Sequence, residues 1–232
     1  MVQKNLRCVE LIIRINMKRL LFFLLLSIPF IAKAYDIEVD GIYYNFTSDS
    51  TVSVTYYNID FNDNYRGNMV IPACINYMGK KYRVTTIGER AFFRSPIKSL
   101  IIPSSVVTIE PQALAKTYLI SVEIPEGVKE LPEALFMGSV FLKSIVIPSS
   151  VTAIGGHFIW NCYRLEEIIC KSRIPPTFVK NPLDGIMPGL KIVLKVPKGT
   201  VNFYKNAEGW KDLEIVEEKK DTRPSSFATR KA

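Results

Sequence analysis

His157 and Cys162, five residues apart, are the pair in this 232-residue chain most easily imagined doing chemistry. A thiol needs a neighbouring base to become a nucleophile, and the base needs a third group to orient it. No such group follows from the spacing, so His157 reads as a surface turn residue and Cys162 as a buried small apolar one. Glu130 with Glu133, and Glu166 with Glu167, offer paired carboxyls. General acid–base work wants two carboxyls in unlike environments across a cleft, whereas these are sequence neighbours suited to solvated margins. There is one His and no paired C-x-x-C, so no metal set is expected, and no Gly-rich phosphate loop is present. The expectation is no catalytic, cofactor-binding or metal residue, no cofactor, and not an enzyme.

The elements that carry these residues are repeats. SIVIPSSVTAIG at 144–155 nearly copies SLIIPSSVVTIE at 99–110. Ile-Pro recurs at Ile71-Pro72, Ile102-Pro103, Ile124-Pro125 and Ile147-Pro148, with Val196-Pro197 as a relative. Four units run in series: 84–105, 106–127, 128–150 and 151–172. Each opens on Val, with Ile87, Ile109, Leu131 or Ile154 three residues on. A bulky apolar residue follows (Phe92, Leu114, Phe136, Ile159). Each unit then has an alternating apolar run: Leu100 and Ile102, Val122 and Ile124, Ile145 and Ile147, Ile168 and Cys170. Short alternation rich in β-branched residues predicts a strand with one buried face, and the Pro that follows suits a strand end. The middles predict turns or one 3₁₀ segment. One unit has too few apolar side chains to fold alone, so the stacked array is the folding unit. The predicted architecture is a solenoid, mainly β, with a parallel sheet on one face.

Leu142-x-x-Ile145-x-Ile147 fits the L-x-x-L-x-L core of leucine-rich repeats. Val84-Thr85-Thr86-Ile87-Gly88 with Ala91-Phe92, and Cys162 with Leu165, Ile168 and Cys170, resemble the repeat of the BspA-like leucine-rich repeat family. Val70-Ile71-Pro72 through Tyr82, and Val196-Pro197-Lys198-Gly199 with Tyr204 and Trp210, resemble that family's ends. The resemblance covers roughly residues 35–218. It implies a secreted or cell-surface bacterial protein used in adhesion or surface interaction. Two features depart from the pattern. The Asn ladder of the classical repeat is absent, with Ser150 near that place, and Cys162 is replaced in the other units by Ser95, Thr117 and Ser139.

Met17-Lys18-Arg19, the apolar run 20–31 and Ala32-Lys33-Ala34 read as a signal peptide within 1–34, with residues 1–16 upstream of the functional start. Twelve apolar residues are short for a membrane span, so export without stable membrane insertion is expected: cell surface, periplasm or medium. The formal charge of +8 sits in the ends. Residues 1–34 hold six Lys/Arg and one acid, and 219–232 hold five and one, whereas 35–218 hold 19 basic and 20 acidic residues. A near-neutral body gives no reason to expect nucleic acid. The polar tail 219–232 reads as disordered. Of the four cysteines Cys8 lies in the leader, and the three expected to remain after its cleavage, Cys74, Cys162 and Cys170, are an odd set, so at least one is free and no disulfide framework is expected.

IYYNF (42–46) and TVSVTYY (51–57) flank Thr47-Ser48-Asp49-Ser50 and predict a β-hairpin, making 35–66 an N-terminal cap. Asp49-Ser50-Thr51 also fits an O-glycosylation pattern. Residues 67–172 are the repeats. Residues 173–218 hold a last repeat and a short helical cap over 200–207, with Thr200 as N-cap and Trp210 folded over the last coil. The loop around 181–189 connects them.

The outward sheet positions are the candidate binding face. One column is Val70, Ile101, Glu123, Val146, Ile169 and Lys195. Beside it run Asn68, Ser99, Ser121, Ser144, Glu167 and Val193. Four of the first six are aliphatic, either as plain strand chemistry or as an exposed apolar contact stripe. The expected function is protein–protein interaction or adhesion through this face, with a host or microbial surface protein as partner. The alternative is a self-associating structural component. A glycan-binding protein ranks last, because neither column holds an aromatic residue.

Overall fold

Alternating apolar residues form the expected strands, and their register decides the architecture. The structure is a computed structural model in which residues 34–58, 65–180 and 189–218 are described. Most of the leader, the 181–189 loop except Gly189, and the 219–232 tail lie outside the described residues. Along the chain, β1 (Ile37–Val39), β2 (Ile42–Phe46) and β3 (Thr51–Thr55) form an antiparallel cap. Its 47–50 turn is closed by the Thr47 amide donating to the Thr51 carbonyl at 3.0 Å. Next, β4 (Gly67–Val70) begins the face sheet. A second hairpin, which the repeat pattern did not predict, joins β5 (Cys74–Tyr77) to β6 (Lys80–Ile87). Its turn residues Met78 and Gly79 have φ of 48° and 76°, and positive φ at both positions matches the twist of paired strands.

From here each repeat supplies two strands. The face strands are β7 (Ile97–Ile101), β9 (Ser121–Glu123), β11 (Ser144–Ile147), β13 (Glu167–Cys170) and β15 (Val193–Val196). Between them lie short return strands β8 (Thr108–Ile109), β10 (Glu130–Leu131), β12 (Ala153–Ile154) and β14 (Thr177–Phe178). Every pairing among them is parallel: β9, β11, β13 and β15 join in one sheet and β10, β12 and β14 in another, while β7 pairs with β4 and β8 with β6. The N-terminal cap joins the return side, because β3 pairs parallel with β6, whose end pairs parallel with β8. The fold is therefore a mainly β leucine-rich-repeat solenoid.

At the C-terminus the expected helix is present but short: α1 (Val201–Lys205). Thr200 does not cap it with its side chain; the buried hydroxyl instead donates back to the Pro197 carbonyl at 2.6 Å. Trp210 is buried, stacks near Phe178 and donates its ring N–H to the Pro176 carbonyl at 2.8 Å. The chain then adds β16 (Glu214–Glu217), a strand missing from the sequence reading, which extends the face sheet in parallel with β15.

The unit middles are turns, and they too pair from coil to coil. The amides of Phe92, Leu114 and Phe136 donate to the Ala113, Leu135 and Phe158 carbonyls. Each turn needs two left-handed residues. Arg90, Gln112, Ala134 and His157 occupy the first place at φ 55–57°, and Arg94, Lys116, Gly138 and Asn161 the second at φ 56–72°. Such backbone costs L-residues ~1–2 kcal/mol each. The coil-to-coil bonds hold it, with Arg94, Lys116 and Gly138 donating to Ala115, Met137 and Trp160.

Cys162 occupies a column that was expected to be apolar, and that column is polar in function. Ser139 Oγ donates to the Leu114 carbonyl and Cys162 Sγ to the Phe136 carbonyl, each in the preceding coil. Ser150 Oγ likewise donates to the Val128 carbonyl and accepts from the Gly127 amide. Buried backbone groups require partners, and these small side chains supply them.

Candidate functional site

The face-sheet register places the two outward columns as aligned rows. In the first, Val70 pairs with Ile101, and Glu123, Val146, Ile169 and Lys195 follow one another. In the second, Asn68 pairs with Ser99, and Ser121, Ser144, Glu167 and Val193 follow. The added strand lengthens both rows, by Val216 beside Lys195 and Glu214 beside Val193. Those two residues were missed, and the stretch Glu214-Ile215-Val216-Glu217 carries no alternation that would have marked them.

The apolar row is not uniform. Val70 and Ile101 are 59% and 49% exposed, whereas Val146 and Ile169 are half-buried. Charged neighbours partly cover the middle of the sheet. Lys195 Nζ meets Glu167 Oε2 at 2.6 Å, and Ser144 Oγ donates to Glu167 Oε1 at 2.9 Å. Burial of the Glu167 carboxyl works upward on its pKa. The hydrogen bonds from Lys195 and Ser144, with the Lys195 charge, outweigh it and hold the acid below its ordinary value. Lys171, from two coils away, reaches Glu123 Oε1 at 3.0 Å.

Between β7 and β9 the sheet is interrupted: among the described residues, no backbone ladder joins them. A cleft of about 380 Å³ opens there, lined by Ser99, Ile101, Ser121, Glu123 and Lys171 among others. The edges of β7 and β9 that face each other carry backbone groups without a protein ladder partner, and strand edges of that kind invite pairing. The return side is interrupted between β8 and β10, where the cause is visible. Gly88, Glu110 and Gly155 each donate an amide to the preceding coil; Pro132 occupies the same repeat position and has no N–H to give.

The residues weighed for chemistry are not brought together as a catalytic set. His157 Nδ1 lies 3.4 Å from Glu133 Oε1 on the turn edge, with the ring about two-fifths exposed. Cys162 is buried with its thiol on the Phe136 carbonyl, and burial pushes the thiol up to about 12. A thiol so raised stays protonated and is a poor nucleophile. Cys170 is buried and also pushed up, above all by burial, beside the Tyr204 hydroxyl at 3.1 Å. Cys74, Cys162 and Cys170 are all free thiols. Among the described residues no cluster of His, Cys, Asp and Glu could hold a metal ion, and no helix is long and apolar enough to cross a membrane.

The profile of the BspA type Leucine rich repeat region matches residues 74–177 in six copies. No match was found among curated proteins. Of solved structures, a leucine-rich repeat protein from Bacteroides capillosus is 25% identical, with 59% of this chain and 98% of that one covered at a TM-score of 0.45. The pneumococcal vaccine antigen PcpA is 15% identical, with 73% of this chain covered at a TM-score of 0.51. This chain spans about half the antigen's length (51%), and the likeness is one of fold.

Proposed function

We propose, on the premise that residues 74–177 belong to the BspA-type leucine-rich repeats, that this chain is an exported, non-catalytic binding module. It engages a protein at a cell surface through its face sheet. The observation that carries the reading is the aligned face itself: an exposed aliphatic start at Val70 and Ile101 beside the β7/β9 cleft. Apolar surface of that kind gains from being covered, and the unladdered strand edges beside it offer hydrogen bonds to whatever covers it. Charged residues further along, Glu167 with Lys195 and Glu123 with Lys171, would set register and exclude wrong partners more than they add affinity. The basic-then-apolar leader supports export, and the family resemblance supports adhesion as the use of such binding.

The test compares the parent with a variant carrying Ile101→Glu, Val146→Glu and Ile169→Glu, first shown to be folded by circular dichroism. Each is used to capture proteins from host-matrix and bacterial-surface extracts. A partner held by the parent and released by the variant is the expected result. Equal capture by both would move the site off the sheet.

Self-association is a second reading, favoured by the outer edges of β4 and β16, which pair with no strand among the described residues. Concentration-dependent growth in mass by light scattering would put it first.

A further inference from the structure

We propose that the turn edge leading into the face strands is a second binding surface, built for an acidic polysaccharide. It comprises residues 93–98, 115–120, 137–143 and 160–166, four stacked stretches joined by the coil-to-coil bonds of Arg94, Lys116 and Gly138. Five of its residues are basic (Arg94, Lys98, Lys116, Lys143 and Arg164) and one is acidic, Glu166, on a body that is near neutral as a whole. All five cations are exposed; Lys143 is paired with Glu166 at 2.8 Å, which leaves Arg94, Lys98, Lys116 and Arg164 as the edge's net positive charge. The opposite margin of the same turns holds Glu89, Glu110 and Glu133 at successive coils, with Arg90 the cation among them. The charge is therefore sorted along the edge rather than scattered.

Aromatic rings are interleaved with these cations. The Phe93 ring has Arg90, Arg94 and Lys116 at 5.8, 5.7 and 5.5 Å from its centre. Tyr118 lies 5.2 Å from Phe141, whose other neighbour is Arg164 at 5.5 Å. Tyr118, Phe141, Trp160 and Tyr163 are all exposed. Three like charges around one ring repel one another, and the single carboxylate beside them, Glu89, is 3.8 Å from Arg90. An anion brought to this point relieves that repulsion.

The occupant follows from the spacing. Coils are stacked at about 4.8 Å, so four of them offer roughly 14 Å of edge with one or two cations per step. A sugar chain matches it, because its sulfate or carboxylate groups alternate with the apolar faces of its rings. Those faces pack on aromatic side chains while the acidic groups meet Arg and Lys. A nucleic acid fits less well. It carries a phosphate about every 3.4 Å per strand and would press that charge against the Glu89, Glu110 and Glu133 margin. The aromatic residues lie on the turns ahead of the face strands and the outward columns hold none, so this surface adjoins the protein-binding face, meeting it at Lys98 on β7, and it restores the glycan reading at that edge.

The full chain is titrated with heparin as the acidic glycan, with a neutral dextran, and with a single-stranded DNA of matched charge, at several salt concentrations. Heparin is expected to bind and dextran not. Arg94→Ser, Lys116→Ser and Arg164→Ser together should weaken heparin at least tenfold and flatten the salt dependence. Tyr118→Ala with Tyr163→Ala should weaken it with the salt slope unchanged. Serine in place of Lys and Arg in segments 1–33 and 219–232 should leave an edge-dependent component intact. The proposal is overturned if that end-neutralised variant no longer binds heparin, if the edge variant binds like the parent, or if DNA binds as tightly as heparin. Circular dichroism of each variant guards against unfolding, and Lys116→Glu alone serves as a milder second probe.

Discussion

Gly155 shows how little room one residue has in this stack. Its φ is ordinary, but a β-carbon there would lie 2.5 Å from the Glu133 amide nitrogen and 2.7 Å from the Pro132 carbonyl carbon. Backbone cannot step aside as a side chain can. Gly155→Ala should therefore destabilise by about 1–3 kcal/mol through overpacking, seen as a lower midpoint in urea. Gly138 presents a different constraint: φ is 72° and the nearest obstruction is the flexible Lys116 side chain. Its alanine variant should cost ~1–2 kcal/mol through backbone strain alone, and a larger loss there than at Gly155 would contradict this account. His157 as a turn residue and Cys162 as a buried one were legible in the sequence. That Cys162 is a carbonyl partner rather than an apolar filler was not, since the carbonyl belongs to another coil.

At the scale of the element, the face strands owe their register to alternation and their neighbours to the Pro-bounded period. Glu167 on β13 links β11 through Ser144 and β15 through Lys195. Its carboxyl is held below its ordinary value, so the stabilisation it supplies is fully present above the unfolded pKa of about 4.3. It fades as pH falls through the lower folded value. Glu167→Gln should lose a fraction of ~1 kcal/mol at pH 7, the pair being partly exposed, and should match the parent at pH 2. Unfolding curves in urea at the two pH values check this. A variant equally weakened at both would show that shape, not charge, was lost. β16 was missed because its four residues follow a cap and carry no Ile-Pro signature. Only its pairing with β15 marks it as part of the sheet.

For the whole molecule, stability is a sum over coils and the contacts between them. Deleting residues 128–150 joins Gly127 to Val151 at equivalent repeat positions. It also removes Pro132 and places the Gly155 amide where it can donate to Ile109. The shortened chain should fold cooperatively with an unchanged β-type circular dichroism spectrum and a lower melting temperature. Deleting 128–139, half a coil, breaks register and should leave the chain unfolded. If both deletions fold, stacking register is not what holds the array.

The sequence by itself determined the period, the positions of the repeated face strands and the order of the outward columns, because alternation and the Ile-Pro punctuation are local. It also placed the N-terminal hairpin and the covering Trp210. The tertiary structure decided what depends on neighbours distant in sequence. Those features are the breaks at β7/β9 and β8/β10, the polar column answering carbonyls of the coil before, and the pairing of the hairpin cap with the return strands. The clustering of Arg90, Arg94 and Lys116 on Phe93 belongs with them. Most of these rest on atoms a coil or more apart, such as Lys116 and Phe93, or Cys162 and the Phe136 carbonyl. Linear order brings such atoms together only when the turns between them close in left-handed backbone.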